Sequence, residues 1–219
     1  MEDKSFTPAL GYSVLTPLYD FAIATLTREE VWRSKLVTCV APKAGERILD
    51  VGCGTGSLAI RLKELSFLTQ VVGLDPDPSV LGVARKKAEE KHLEIDWREG
   101  FLKPETVSDV KPVSKVVSSL VFHQTPVKEK QNILSQMHDV LETGGELFIA
   151  DYGWQRTKMM RFLFRASVQQ LDGMSDTQPN ADGVLPRLIE DTGFIQIEEL
   201  EVVPTPTGSI SIYSGIKAM

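Results

Sequence analysis

The apolar positions change their period several times along the chain, and each change marks an element. Leu18, Phe21, Ala22 and Thr25 share one helical face after Thr16-Pro17, which suits an N-cap followed by proline at the first helical position. Thr27 to Glu30 has the form of a capping box. Trp32, Leu36 and Val40 follow at i, i+4 and i+8, an apolar stripe that must lie on something. Ala41-Pro42 ends it, because the residue before a proline avoids helical angles. Beyond Glu46 the pattern predicts strands over 47–51, 70–74, 93–98, 115–121 and 146–150, with helices over 58–65, 79–91 and 127–141 between them. Such alternation with short connections predicts a parallel sheet covered on both faces. The end differs: a helix over 185–191 is followed by extended runs over 194–203 and 209–217, joined by a turn rich in Pro and Gly. That is a hairpin signal, so an antiparallel edge should close the sheet. Between these parts, 152–183 breaks the alternation with the apolar run Met159–Arg165 and the turn-like stretch Gly173–Asn180.

Composition narrows the classes. A chain of 219 residues with 42 % hydrophobic content suits one domain with a sizeable core. We divide it into a helical lid (1–44), a cofactor-binding core (45–151), a substrate-side insert (152–183) and a C-terminal helix with a β-hairpin (184–219). The net charge of −6 and a pI near 5.2 argue against a nucleic-acid backbone as the main partner. No apolar run approaches the roughly 18 residues of a membrane span, and Met1–Lys4 lacks the basic start of a secretory signal. A cytoplasmic protein is the expectation. Cys39 and Cys53 show no paired spacing, and no carboxylate/histidine cluster is visible, so neither disulfide nor metal is expected.

The candidate chemistry sits in Ile48 to Ile60, which runs strand, glycine loop, helix. Glycines there let the backbone turn tightly and approach a ligand that a Cβ would exclude. The helix that follows offers free N–H groups and a positive dipole end. Asp75 ends the next strand, where a carboxylate can accept two hydrogen bonds from a ribose diol. The spacing is Gly52-x-Gly54-x-Gly56, with Ser57 where a dinucleotide fingerprint needs Gly or Ala, and no Gly-Lys-Ser/Thr of a P-loop follows. An NAD-dependent oxidoreductase therefore fits poorly.

At this point the chain resembles the class I S-adenosylmethionine-dependent methyltransferases. Asp50–Gly56 is similar to that family's first motif and Gly73–Asp77 to its second. The likeness continues through Trp97–Gly100, Ser118–His123, Val140–Gly145 and Leu147–Asp151, in the family's order. The small-molecule branch that includes the ubiquinone/menaquinone C-methyltransferases is the most similar. The resemblance implies a Rossmann-like, doubly wound α/β/α sandwich with strand order 3-2-1-4-5-7-6 and the last strand antiparallel. It implies S-adenosylmethionine as cofactor, S-adenosylhomocysteine as product and a small organic methyl acceptor, and the two phenylalanines and two methionines of Met159–Arg165 suit one that is apolar or amphipathic. The backbone of Gly52, Cys53, Gly54 and Gly56 would pass beneath the methionine part, and Asp50 would hold its amino group directly or through water. Asp75, followed by Pro76, would bind both ribose hydroxyls. Gly100 and Phe101 would border the adenine, and Ser118, Ser119 and Leu120 would lie under the sulfonium. Phe101 stands where many relatives carry an acid, so adenine is held either by packing and main chain or by another residue. Ser114 or Lys115 stands where the fourth strand commonly begins with Asp.

His123, just past the fourth strand, is the candidate base for an acceptor that must lose a proton, its ordinary pKa of about 6.5 being suitable; a rim histidine is the bland alternative. Tyr19, in the segment that folds over the cofactor in the resembling enzymes, could orient the acceptor, as could Tyr12; either could equally just pack. Met159, Phe162 and Arg165 are candidates for the acceptor wall. Cys53 suits a small residue in a tight loop better than a nucleophile, since the sulfonium is already activated. His92 and His138 fall on helix surfaces, and Lys86, Lys87, Glu89 and Glu90 form a solvated face. The alternative from another class is a domain that binds the cofactor and acts silently as a partner or scaffold.

Overall fold

Buried apolar runs dictate the sheet. The computed structural model describes residues 27–218. Strands β1 (Arg47–Val51), β2 (Gln70–Asp75), β3 (Asp96–Glu99), β4 (Val113–Ser119), β5 (Leu141–Tyr152), β6 (Phe194–Thr205) and β7 (Gly208–Lys217) form one sheet of order β3-β2-β1-β4-β5-β7-β6. Neighbours from β3 to β5 are parallel, and β7 runs antiparallel to both β5 and β6. The strand order and the antiparallel hairpin are those expected. Helices α1 (Glu29–Val40), α2 (Ser57–Leu65), α3 (Pro78–Glu90), α4 (Val127–Val140) and α8 (Leu185–Asp191) flank the sheet. The insert folds as α5 (Lys158–Ala166), α6 (Val168–Asp172) and α7 (Met174–Ala181).

Strand alternation sorts the side chains into two cores. Ile48, Val71, Val117, Phe148 and Ala150 pack with Trp32, Leu36 and Val40 of α1 and Leu58 and Leu62 of α2. Leu49, Val72, Leu74, Val116 and Leu147 point the other way, onto Leu134 and Met137 of α4 and Leu188 and Ile189 of α8. The stripe of α1 is thus a wall of the core, although the sequence places 29–40 in a lid. Residues 1–26, and with them Tyr12, Tyr19 and the rest of that lid, lie outside the described residues.

Four local expectations are corrected. The N-cap of α1 is Arg28, in left-handed backbone with no side-chain cap. The Glu30 carboxylate is engaged by Arg61 and Ser34 rather than turned back to the chain start as a capping box requires. Strand β3 starts at Asp96, because Leu93 is buried with Ile60 and Ala88 instead of pairing. Strand β4 ends at Ser119, where Leu120 turns left-handed at φ 56. Gly173–Asn180 is not a turn: Met174–Ala181 is helical, with Thr177 and Asn180 buried.

Candidate active site

The ligand-binding edge of an open parallel sheet is the carboxyl end of its strands, beside the point where the chain direction switches. Here that point lies between β1 and β4, and the glycine loop follows β1. Gly52 and Cys53 donate to the Leu74 carbonyl at 2.8 and 3.1 Å, which locks the loop onto β2. Gly54 N–H donates to Asp75 Oδ2 at 2.8 Å, and Asp77 N–H to Oδ1 at 3.0 Å. Each Asp75 oxygen therefore braces the backbone and keeps a lone pair for a further donor. Burial raises the Asp75 pKa, and the Asp77 and Gly54 N–H groups oppose the rise.

The glycines serve different ends. A Cβ on Gly56 would come within 2.5 Å of the Trp97 ring and 2.8 Å of Ala84, and one on Gly73 would strike Trp97 too. A Cβ on Gly52 would collide with Val121. These three make room for protein. Gly54 has φ 53 and nothing within 4 Å of where its Cβ would stand, so the loop's open, main-chain surface is there.

Asp50 is fully buried on the α1 side of β1 with neither oxygen in a well-formed hydrogen bond, and the Ala59 N–H lies near enough to lower its pKa. Burial pushes its pKa up to about 7; the Arg33 charge lowers it and the Asp75 charge raises it. An unpaired buried carboxyl is costly and calls for a donor from outside the protein. An ammonium group next to the loop supplies one, so the residues present fit the amino-acid end of S-adenosylmethionine. Burial likewise raises the pKa of the Cys53 thiol, which is no nucleophile.

The other expected positions fall along the same edge. Pro76 follows Asp75, and Gly100, at φ 137, donates to the Asp75 carbonyl at 3.0 Å. Phe101 is half exposed. Ser118 is buried, and its hydroxyl donates to the Val51 carbonyl at 2.7 Å, so its side chain serves the sheet. Ser119 ends β4, and Leu120 N–H donates to the Ala150 carbonyl at 2.9 Å. Lys115 is buried and donates to the Val40 carbonyl at 2.8 Å, tying the foot of α1 to the sheet.

His123 is no rim histidine. It is buried in the 3₁₀ turn Phe122–Gln124, its Nδ1 lies 2.8 Å from Asp151 Oδ1, and its Nε2 lies 3.5 Å from Asp172 Oδ2 of α6. Burial opposes its charge, but the two carboxylates outweigh burial and push its pKa up to about 9. Both ring nitrogens face carboxylates, and this surrounding favours the charged imidazolium. Sequence reasoning missed its partners. Asp151 also accepts N–H bonds from Phe122 and Tyr152 at 2.6 and 2.7 Å. Lys130 is fully buried and donates to the carbonyls of Phe122, Thr125 and Asp176. Its inward i, i+4, i+7 relation to Leu134 and Met137 was the available signal. Lys87, expected on a solvated face, donates to Thr55 Oγ1 at 2.9 Å and so tethers α3 to the glycine loop.

Comparison with known proteins agrees with this geometry. Residues 48–145 match the family described as "Methyltransferase domain". A demethylmenaquinone methyltransferase of Thermus thermophilus is 31 % identical over 144 residues, covering 64 % of this chain and 64 % of that protein. One of Deinococcus radiodurans is 27 % identical over 172 residues, 78 % of this chain and 70 % of its own length. The chain thus spans just under two thirds of the Thermus protein. Among solved structures, the magnesium protoporphyrin IX methyltransferase of Synechocystis, with bound S-adenosylhomocysteine, aligns with a TM-score of 0.67 at 19 % identity over 95 % of this chain and 91 % of its own. An O-methyltransferase family protein of Burkholderia thailandensis aligns with a TM-score of 0.70 at 13 % identity over 90 % and 58 %. At these identities the likeness speaks for the fold. Sheet order, glycine loop and Asp75 define an open α/β sheet whose ligand-binding edge lies at the loop after β1. Over residues 48–145 the chain is thus similar to methyltransferase domains, and it shares the fold of the solved Synechocystis methyltransferase. Among the described residues no helix is long and apolar enough to cross a membrane.

Proposed function

We propose that this chain transfers a methyl group from S-adenosylmethionine to a small acceptor of apolar or amphipathic character, with alignment as the main source of rate. The cofactor brings a methyl group already activated on a sulfonium. The protein's task is then to hold the attacking atom, methyl carbon and sulfur nearly in line at van der Waals contact. The observation that carries this reading is the pairing of Gly54 with Asp75: an open main-chain floor whose N–H is fixed by a carboxylate that still has free lone pairs. In this reading Asp75 takes the ribose hydroxyls, the Gly52–Gly56 backbone passes under the methionine chain, Gly100 and Phe101 border the adenine, and Ser119 and Leu120 lie near the sulfonium.

The insert is read as the acceptor side. Met159 and Phe162 of α5 are 69 % and 67 % exposed, with Arg165 beside them, which suits an apolar body carrying a polar end. The names of the Thermus and Deinococcus relatives support an acceptor of the small-molecule kind. In this reading a base is needed only for an acceptor that must lose a proton, and His123, buried between Asp151 and Asp172, is the candidate. The test is incubation with S-adenosylmethionine and a panel of hydroxylated aromatics (quinols included), amines and thiols, measuring S-adenosylhomocysteine and methylated product. At least one apolar acceptor should raise S-adenosylhomocysteine well above the acceptor-free rate. Binding of cofactor with no turnover on any of the panel would favour the silent-partner reading instead.

A further inference from the structure

Helix α5 carries large apolar side chains on both of its sides. The inner side seats Phe164, which is buried with its ring centroid 5.0 Å from that of Tyr152. The outer side presents Lys158, Met159, Arg161, Phe162 and Arg165, all exposed. Trp154 before the helix and Leu171 and Met174 after it are exposed as well, and α5, α6 and α7 pack on one another in order. Five of the thirteen exposed large hydrophobics among the described residues thus fall within 154–174. Such a concentration is more than the single apolar side chains that any surface scatters.

The charge of this stretch runs against that of the chain. The whole protein has a net charge of −6, yet residues 152–171 hold four cations, Arg156, Lys158, Arg161 and Arg165, and no acid. Glu199 engages Arg156, and Asp182 engages Arg161 at 3.0 Å. Lys158 and Arg165 have no ion pair among the described residues. The Arg156 guanidinium lies over the Trp154 ring, 4.9 Å from its centroid. Cations interleaved with Trp, Phe and Met on one exposed surface suit an anionic lipid surface. There the cations meet headgroup phosphates, the aliphatic and Phe side chains enter the acyl boundary, and Trp stays at headgroup level. A nucleic-acid backbone would satisfy the cations but leave Met159 and Leu171 in water. We propose that the outer face of α5, with Trp154, docks this chain on an anionic bilayer surface without crossing it. The docking goes beyond methyl transfer and does not depend on it. It would set the acceptor side against the phase in which an apolar acceptor dissolves.

Co-sedimentation of the full chain with vesicles, without cofactor or acceptor, tests it. The vesicles are phosphatidylcholine alone, or phosphatidylcholine with phosphatidylglycerol. The parent should partition onto the anionic vesicles about tenfold or more better than onto the neutral ones, and salt should reduce the difference. Lys158→Gln with Arg165→Gln should weaken anionic binding by about thirtyfold, for two cations near a charged surface. Met159→Ser with Phe162→Ser should weaken it by about tenfold or more. Phe67→Ser with Leu68→Ser, equally exposed but in the α2–β2 connection, should bind as the parent does. Independently of any α5 variant, anionic vesicles should shift the parent's tryptophan emission to the blue, and Trp154→Phe should abolish the shift. No binding by the parent, equal binding to both vesicle types, or α5 variants that bind like the parent would overturn the assignment. So would a DNA or RNA duplex, or a second copy of the chain, taking this face while vesicles do not.

Discussion

Replacing Asp75 with alanine is expected to weaken S-adenosylhomocysteine binding by roughly 30-fold to 1000-fold, the equivalent of about 2–4 kcal/mol. Two hydrogen bonds from the ribose diol to a charged acceptor are lost together, and they do not add fully. The structure adds a second consequence. Asp75 also accepts the Gly54 and Asp77 N–H groups, so alanine strands both donors at the loop and at the start of α3. The sequence alone predicts little change in the stability of the empty protein. With these bonds seen, a loss of about 1–3 kcal/mol is expected. Asp75→Asn keeps one acceptor oxygen and should hold the loop better while still binding poorly. Cofactor affinity within threefold of the parent in Asp75→Ala would show that another residue holds the ribose.

The second large effect is in stability against pH. His123 has its pKa pushed up to about 9 from an ordinary 6.5, so its ion pairs contribute fully below about pH 6.5 and are lost as pH rises through about 9. The swing is on the order of 3 kcal/mol. Lys130 opposes it: burial lowers its pKa to about 8, so stability recovers as pH rises from there towards the ordinary lysine value. The informative quantity is therefore the denaturant midpoint of the parent relative to His123→Gln, in which the lysine effect cancels. That difference should be large at pH 6.5 and small at pH 9.5. A difference independent of pH would mean that His123 is not the charged link between Asp151 and Asp172. Because Asp172 belongs to the insert, Asp172→Asn should lower the His123 pKa and loosen α6 without touching the glycine loop.

Much of the fold could be foretold because β1, β2, β4 and the second half of β5 are largely buried and each carries a short, mainly apolar stretch such as Val71–Leu74 or Leu147–Ala150. Helices α2 to α4 announce themselves by period. The glycine loop and Asp75 were equally legible, since their spacing follows from the turn and the ligand edge it creates. What escaped depends on tertiary placement. Lys130 and Lys87 look like solvent residues until the turn at Phe122 and the loop at Thr55 present carbonyls and hydroxyls to them. His123 was recognised as a candidate, but its protonation is set by Asp151 and Asp172, 28 and 49 residues away, which no local pattern reveals. Helix α7 was hidden by Gly173 and Pro179, both turn formers, although Pro179 sits inside the helix.

The most direct test of the central claim is a calorimetric titration of the purified chain with S-adenosylhomocysteine and, separately, with NAD. The glycine spacing, the open main chain at Gly54, the unpaired Asp50 and the braced Asp75 predict saturable one-to-one binding of S-adenosylhomocysteine and little or none of NAD. Tighter binding of NAD than of S-adenosylhomocysteine, or no binding of S-adenosylhomocysteine at all, would contradict the account.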